Sequence, residues 1–303
     1  MDKLVKLVTD IGKLWEHYSA AYFTGIQNTL ILAVAATLAG CLIGLVCGVL
    51  NTIPYTQNDH PLKRFGLKLL RALIRIYVEV FRGTPMVLQA VFIFYGLPYF
   101  TDGAVAFKGM AGIWTAALIV VSINTGAYMA ESVRGGIISI DPGQTEGAKA
   151  IGMTHVQTMV NVIMPQALRN IIPQIGNNFI INIKDTSVMF VIGFVEFFAT
   201  HRNIVGVNLL YFPSAVIEMV GYLTLTLLAS FGLRALEKWL DGDANYELVS
   251  EDSLAMSAGT YSHPDRKTPF DEQSKEFAKT ELAKEKRDRK RQELKFGRPK
   301  GDR

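Results

Sequence analysis

Apolar and charged positions are sorted along this chain into long blocks. Between Glu16 and Asp59 no aspartate, glutamate, lysine or arginine occurs, and residues 25–50 are almost entirely leucine, isoleucine, valine, alanine, glycine and threonine. About 20 such residues in a helix cross the hydrocarbon of a bilayer. Further apolar stretches occupy 86–100, 110–130, 171–198 with an interruption, and 207–233. The pattern therefore predicts five membrane spans. The second is short if it starts at Met86, but residues 67–80 alternate apolar positions with Lys68, Arg71, Arg75 and Glu79 at helical spacing, which predicts one long helix entering from a charged interface. Residues 151–168 also lack formal charge, yet Gly152, His155, Gln157, Asn161, Pro165 and Gln166 make them an amphipathic loop helix in preference to a lipid-facing span.

The fold class that follows is all-α and integral to a membrane. Composition agrees: 50% of the residues are hydrophobic and 19% charged, where soluble domains carry about a quarter charged residues. The first apolar run is too long and starts too far from Met1 to be a cleaved signal peptide. Lysine and arginine in short loops mark the cytoplasmic side. Lys63, Arg64, Lys68, Arg71 and Arg75 lie between spans one and two, Arg134, Lys149 and Arg169 between three and four, and Arg234 and Lys238 after five, against Lys108 and Arg202 opposite. The N-terminus is predicted outside and the C-terminus cytoplasmic, with Lys3, Lys6 and Lys13 running against the rule. Three regions are expected: 1–24, an extracytoplasmic N-terminal segment; 25–240, the transmembrane part; and 241–303, a charged cytoplasmic tail with too little apolar surface for a core. The tail includes a helical stretch near 276–294, whose Lys286, Arg287, Arg289, Lys290 and Arg291 either stay solvated or touch anionic lipid headgroups. The tail's charges cancel and the net +4 resides in segments flanking the spans, so the charge points to no acidic partner such as nucleic acid. Cys41 and Cys47 read as small packing residues, not as a disulfide or metal pair. Gly40, Gly44 and Gly48 line one helix face and allow another helix to approach closely.

The loop between spans three and four carries the densest local signals. Asp141 is a helix cap, Pro142 suits the first turn, and Gln144 stands where a capping-box partner belongs. A short helix is predicted over 142–151. Gly152 permits a sharp turn, Thr154 caps a second short helix, and Pro165 interrupts it. Ile151, Met153, Val156 and Met159 offer apolar contact, and Gly147, Ala148 and Ala150 permit close approach, so residues 141–165 have the chemistry of a docking knob.

Glu146-Gly147-Ala148, then Gly152, then Val162-Ile163-Met164-Pro165 resembles the EAA loop of ABC-importer permeases, with Gly147, Val162 and Met164 as departures. Glu79 to Pro85 (Glu-Val-Phe-Arg-Gly-Thr-Pro), Tyr128 to Ile137 and Lys184-Asp185-Thr186-Ser187 are similar to the polar-amino-acid permease subfamily. The resemblance covers most of the first 240 residues and excludes the tail. It implies a five-span type I ABC-importer permease subunit. Its expected partners are a second permease subunit, identical or paralogous, two cytoplasmic ABC ATPases and an extracytoplasmic amino-acid-binding protein. By the same resemblance Glu146, Gly147, Ala148, Gly152 and Pro165 belong to the ATPase-coupling loop. The chain lacks a Gly-x-x-x-x-Gly-Lys-Ser/Thr phosphate loop, so it is expected to bind no cofactor itself, ATP and magnesium being held by the partner ATPase. No metal site is expected.

Ionisable groups at membrane depth face a cavity or a partner. Lys184 and Asp185 interrupt span four and offer both signs to a zwitterionic amino acid, or else form interhelical pairs that hold the dimer. Glu218 in span five, Ser122 and Asn124 in span three and Gln89 in span two complete the substrate-pathway candidates, each of the latter three also readable as a packing polar group. Two rival functions remain at this point, a self-sufficient secondary transporter and an integral membrane enzyme. Against them stand the lack of a visible internal repeat and the scattering of the five histidines.

Overall fold

The computed structural model describes residues 2–55, 57 and 59–241, and the expected features of the tail beyond residue 241 lie outside the described residues. Among the described residues every regular element is helical. Helix α1, Asp2–Thr52, is a single rod of 51 residues, about 76 Å at 1.5 Å per residue. Nothing in that stretch breaks a helix until Pro54, so the apolar run and the segment before it form one element.

The expected long second helix is not continuous. Helix α2, Pro61–Gly83, stops at Thr84 in extended conformation (φ −121°, ψ 145°), and α3, Met86–Val91, starts directly after Pro85. The two arms meet at 111°. Steric clash with the proline ring pushes the preceding residue out of the helical region, and here that local effect overrides the continuity of the apolar pattern. Beyond α3 the chain passes through a π turn, Phe92–Gly96, into α4, Leu97–Phe100. Helix α5 follows over Gly109–Ile138, then α6, Pro142–Ala150, and α7, His155–Thr158.

The second loop helix is not short either. A π turn, Met159–Ile163, leads without a break into α8, Met164–Asp185. The wider turn closes through Met164 N–H to Met159 O, and this shift of the hydrogen-bond pattern just before Pro165 accommodates a residue without a donor inside the continuous helix. A 3₁₀ segment, Thr186–Ile192, continues from Asp185. Helix α9, Phe197–Asn208, ends at Leu209 in the left-handed region (φ 59°), and α10 runs over Tyr211–Asp241. The fifth apolar run thus starts four residues later than expected, Val207 belonging to α9.

Three helices, Lys3–Thr52, Gly109–Ile138 and Tyr211–Trp239, are long and apolar enough to cross a membrane, and each of two bent pairs has the same property when taken together. Helix α1 is the spine. Leu32 and Ala36 pack with Ala116, Val120 and Val121 of α5 and Met189 of the 3₁₀ segment. Toward its C-terminal end, Cys41 and Leu45 pack with Met129 and Val133 of α5 and Ala167 and Ile171 of α8. Toward its start, Leu14 and Tyr22 pack with Phe197 and Ile204 of α9 and Ile217 of α10. Leu38, Leu42, Leu223 and Leu228 point outward, each more than half exposed. A molecule apolar both inside and out is suited to lipid.

Candidate functional site

Two regions concentrate the chemistry. The first is the loop that leaves α5. Asp141 caps α6 by accepting from Gly143 N–H at 2.7 Å. Gln144 is not its capping-box partner, since its Oε1 instead accepts from Gln166 Nε2 at 3.3 Å. Helix α6 ends where Gly152 adopts φ +82°, with Met153 N–H donating to Ala148 O at 3.1 Å. The capping box belongs to the next helix. Gln157 N–H donates to Thr154 Oγ1 at 3.3 Å, and Thr154 N–H to Gln157 Oε1 at 2.8 Å. Glu146, Gly147, Gly152 and Pro165 are exposed and Ala148 is buried. Ile151 and Val156 stand 79% and 68% exposed, whereas Met159 turns inward against the α5–α8 core. The tip of this capped turn is thus apolar and exposed.

The second region is the inner face of α2. Arg71, Arg75, Glu79 and Arg82 repeat at helical spacing on one side and, with Glu131 and Arg134 of α5 and the end of α1, line a cavity of about 580 Å³. Arg82 pairs with Glu131 and lies over the Tyr128 ring, 5.2 Å from its centroid. Arg71 donates to Ile53 O and covers Tyr55 at 4.7 Å. Arg71, Arg75 and Glu79, expected at helical spacing on a helix entering from a charged interface, are the polar side of amphipathic α2, whose opposite side exposes Leu69, Leu73, Ile76 and Val80.

The substrate-pathway candidates do not converge on one point. Asn124 and Gln89 are hydrogen-bonded to each other, Nδ2 to Oε1 at 3.0 Å. Ser122 is buried, its hydroxyl without a partner among the described residues. Lys184, exposed, and Asp185, half-buried, close α8. Glu218 is buried 3.7 Å from His201 Nδ1; that histidine also bonds Ser214 at 2.8 Å. Gly40, Gly44 and Gly48 lie against Thr125, Met129 and Val133 of α5. Asn182 and Glu196 are among the buried polar groups that the sequence reading does not single out. Asn182 donates to Thr37 at 2.8 Å and Thr125 at 3.0 Å, tying α8 to α1 and α5. Glu196 caps α9, accepting from Ala199 N–H at 2.7 Å and from the Tyr222 hydroxyl at 2.7 Å. Their signal was present, a polar residue inside an apolar run, but their partners are remote in sequence.

Residues 62–242 match the family described as binding-protein-dependent transport system inner membrane component. The chain belongs to this family. Within it, the glutamine transport system permease protein GlnP of Escherichia coli K12 is 36% identical over 215 residues, covering 71% of this chain and 90% of that protein. The probable amino-acid permease protein YxeN of Bacillus subtilis 168 is 35% identical over 219 residues, covering 71% and 91%. A crystal structure of an amino acid ABC transporter with histidines superposes with a TM-score of 0.63 at 33% identity, over 73% of this chain and 95% of that one. The inward-facing MetNI methionine ABC transporter, at 18% identity and a TM-score of 0.58 over 74% and 97%, shares the fold. As a binding-protein-dependent inner membrane component, the chain is a permease subunit of an ABC importer. It serves transport and not catalysis, and works with ATPase and binding-protein partners. The secondary-transporter and enzyme readings are set aside on this ground.

Proposed function

We propose that this permease passes polar amino acids, glutamate, glutamine or similar, inward across a membrane crossed by five spans, the two bent pairs counting as one span each. The N-terminus is outside and the loop 141–165 is cytoplasmic. One observation carries the reading: the exposed, doubly capped turn at Gly152, presented directly after the long helix α5 of a chain whose family is an importer component. Two permease subunits, identical or paralogous, pair over two ATPases. Closure of the ATPases on nucleotide draws the docked loops together, and the helices rock as rigid bodies to face the loaded binding protein. Glu146, Gly147, Ala148, Gly152 and Pro165 belong to the docked loop, Ala148 from its buried side and the other four from its exposed side. Lys184 and Asp185 meet the zwitterion, supported by their place at the end of α8 and by side chains without a hydrogen-bond partner among the described residues. The arginine-lined cavity between α2 and α5 is the cytoplasmic stretch of the path, because charge at membrane depth is stabilised by water.

The test is co-purification of an ATPase with the full chain, and uptake competition among acidic, amide and basic amino acids in cells expressing the whole complex. Deleting residues 141–165 is expected to abolish both association and uptake; an intact complex after that deletion refutes the docking role. Asp185→Asn is expected to weaken or redirect uptake with assembly intact, and unchanged uptake with unchanged selectivity removes Asp185 from the path.

A further inference from the structure

A break in a membrane helix strands backbone carbonyls that need partners from protein or water. At the α2–α3 break, two side-chain amides take up that role. Gln89 Nε2 donates to Phe81 O at 2.9 Å, to Thr84 O at 2.9 Å and to Thr84 Oγ1 at 3.0 Å. Asn124 Nδ2 of α5 donates to the same Phe81 O at 3.0 Å and to Gln89 Oε1 at 3.0 Å. Gln89 is 6% exposed. Each amide has two hydrogens, and both amides have all their donors directed at protein atoms. Neither retains a donor for a substrate. The same stretch is fastened to α5 twice more, by Tyr77 hydroxyl to Ile123 O at 2.7 Å and by Arg82 to Glu131.

From this geometry we infer that Gln89 and Asn124 are positioning residues that lock the bent α2–α3 pair to α5, so that the broken helix follows α5. The inference rests on the importer reading only for the direction in which motion travels. Helix α5 ends at Ile138 and α6 begins at Pro142, so a displacement of the docked loop reaches α5 through a short link, as it reaches α8 through the unbroken α7–α8 rod. Without the two amides, Tyr77 and Arg82 still hold α2 to α5 and Ala90 still packs α3 in the core, but no side-chain amide crosses the 111° junction, and the angle between the arms loosens.

The isosteric variant Gln89→Glu removes all three donated bonds without changing size. In the whole complex, Vmax for uptake is expected to fall about tenfold, the scale of one to two net hydrogen bonds, with KM kept within about twofold. Backbone amide exchange in peptides covering residues 78–92 is expected to quicken while peptides covering 142–158 keep their rates. Asn124→Asp, which removes two donated bonds, is expected to act in the same direction and supplies both readouts if Gln89→Glu does not assemble. A raised KM with Vmax retained, as for a substrate contact, overturns the inference, as does unchanged exchange at 78–92. Failure of the parent complex to transport any amino acid would strike the importer reading instead, since the exchange measurement does not depend on what is carried.

Discussion

At the scale of single residues, the tightest constraint is where α1 crosses α5. A methyl group built on Gly44 falls 2.3 Å from Met129 Cβ and 2.7 Å from the Met129 carbonyl carbon. The second neighbour is backbone, which no rotamer change moves aside. Gly44→Ala is therefore expected to destabilise the purified protein by about 1–3 kcal/mol, the usual cost of overpacking. Gly12 lies in the same helix with nothing within 4 Å of an added methyl. Gly12→Ala is expected to be neutral or to stabilise by up to ~1 kcal/mol through helix propensity. Thermal unfolding of the two variants in one detergent checks both, and equal midpoints would show that the crossing is looser than its geometry. The four-residue glycine repeat was legible in the sequence because it is local. Its counterpart, Thr125, Met129 and Val133, has the same spacing, but nothing in a linear pattern sets the register of one helix on another. Asn182 illustrates the same limit: its buried bonds reach Thr37 and Thr125, partners remote in sequence.

At the scale of elements, hydrophobic runs located the helices, and local stereochemistry decided where they stop. Thr84-Pro85 and the π turn before Pro165 divide or extend elements against the apolar pattern, since a proline's effect on its neighbours outweighs continuity of side-chain type. In the loop 141–165, Gln144 and Met159 take partners that no local pattern specifies. The caps Asp141 and Thr154 and the turn at Gly152, by contrast, were readable from sequence, because capping is a local matter between a side chain and the next two or three amides. That locality also makes the loop's chemistry separable by mutation. Gly147, exposed and with nothing within 4 Å of an added methyl, sits inside α6. Gly147→Ala is expected to stabilise that helix by about 0.5–1 kcal/mol and to leave ATPase association equal or tighter. Gly152 is at φ +82°, where a β-carbon costs about 1–2 kcal/mol. Gly152→Ala is expected to weaken ATPase co-purification under the same wash conditions. If the two variants retained the ATPase equally, the geometry of the turn would not be what the partner reads.

At the scale of the whole molecule, all of these local devices work only in one orientation. Helix α1 is about 76 Å long, far more than a bilayer's hydrocarbon, so its first turns project from one side while the α6–α7 turn belongs to the end of α5. The proposed orientation puts Lys13 outside and Lys149 in the cytoplasm, and the proposed coupling role needs that assignment, because the partner ATPase works on cytoplasmic nucleotide. Single-cysteine variants Lys13→Cys and Lys149→Cys, in a chain carrying Cys41→Ala and Cys47→Ala, test it with a membrane-impermeant maleimide. Both positions are exposed, so access is set by the membrane and not by packing. Lys13→Cys is expected to label in right-side-out vesicles and Lys149→Cys in inverted ones. Added ATPase subunits are expected to protect Lys149→Cys while leaving Lys13→Cys reactive. The reverse labelling would place the Gly152 turn outside, beyond reach of any ATPase, and the α5 lever would then have nothing to drive it.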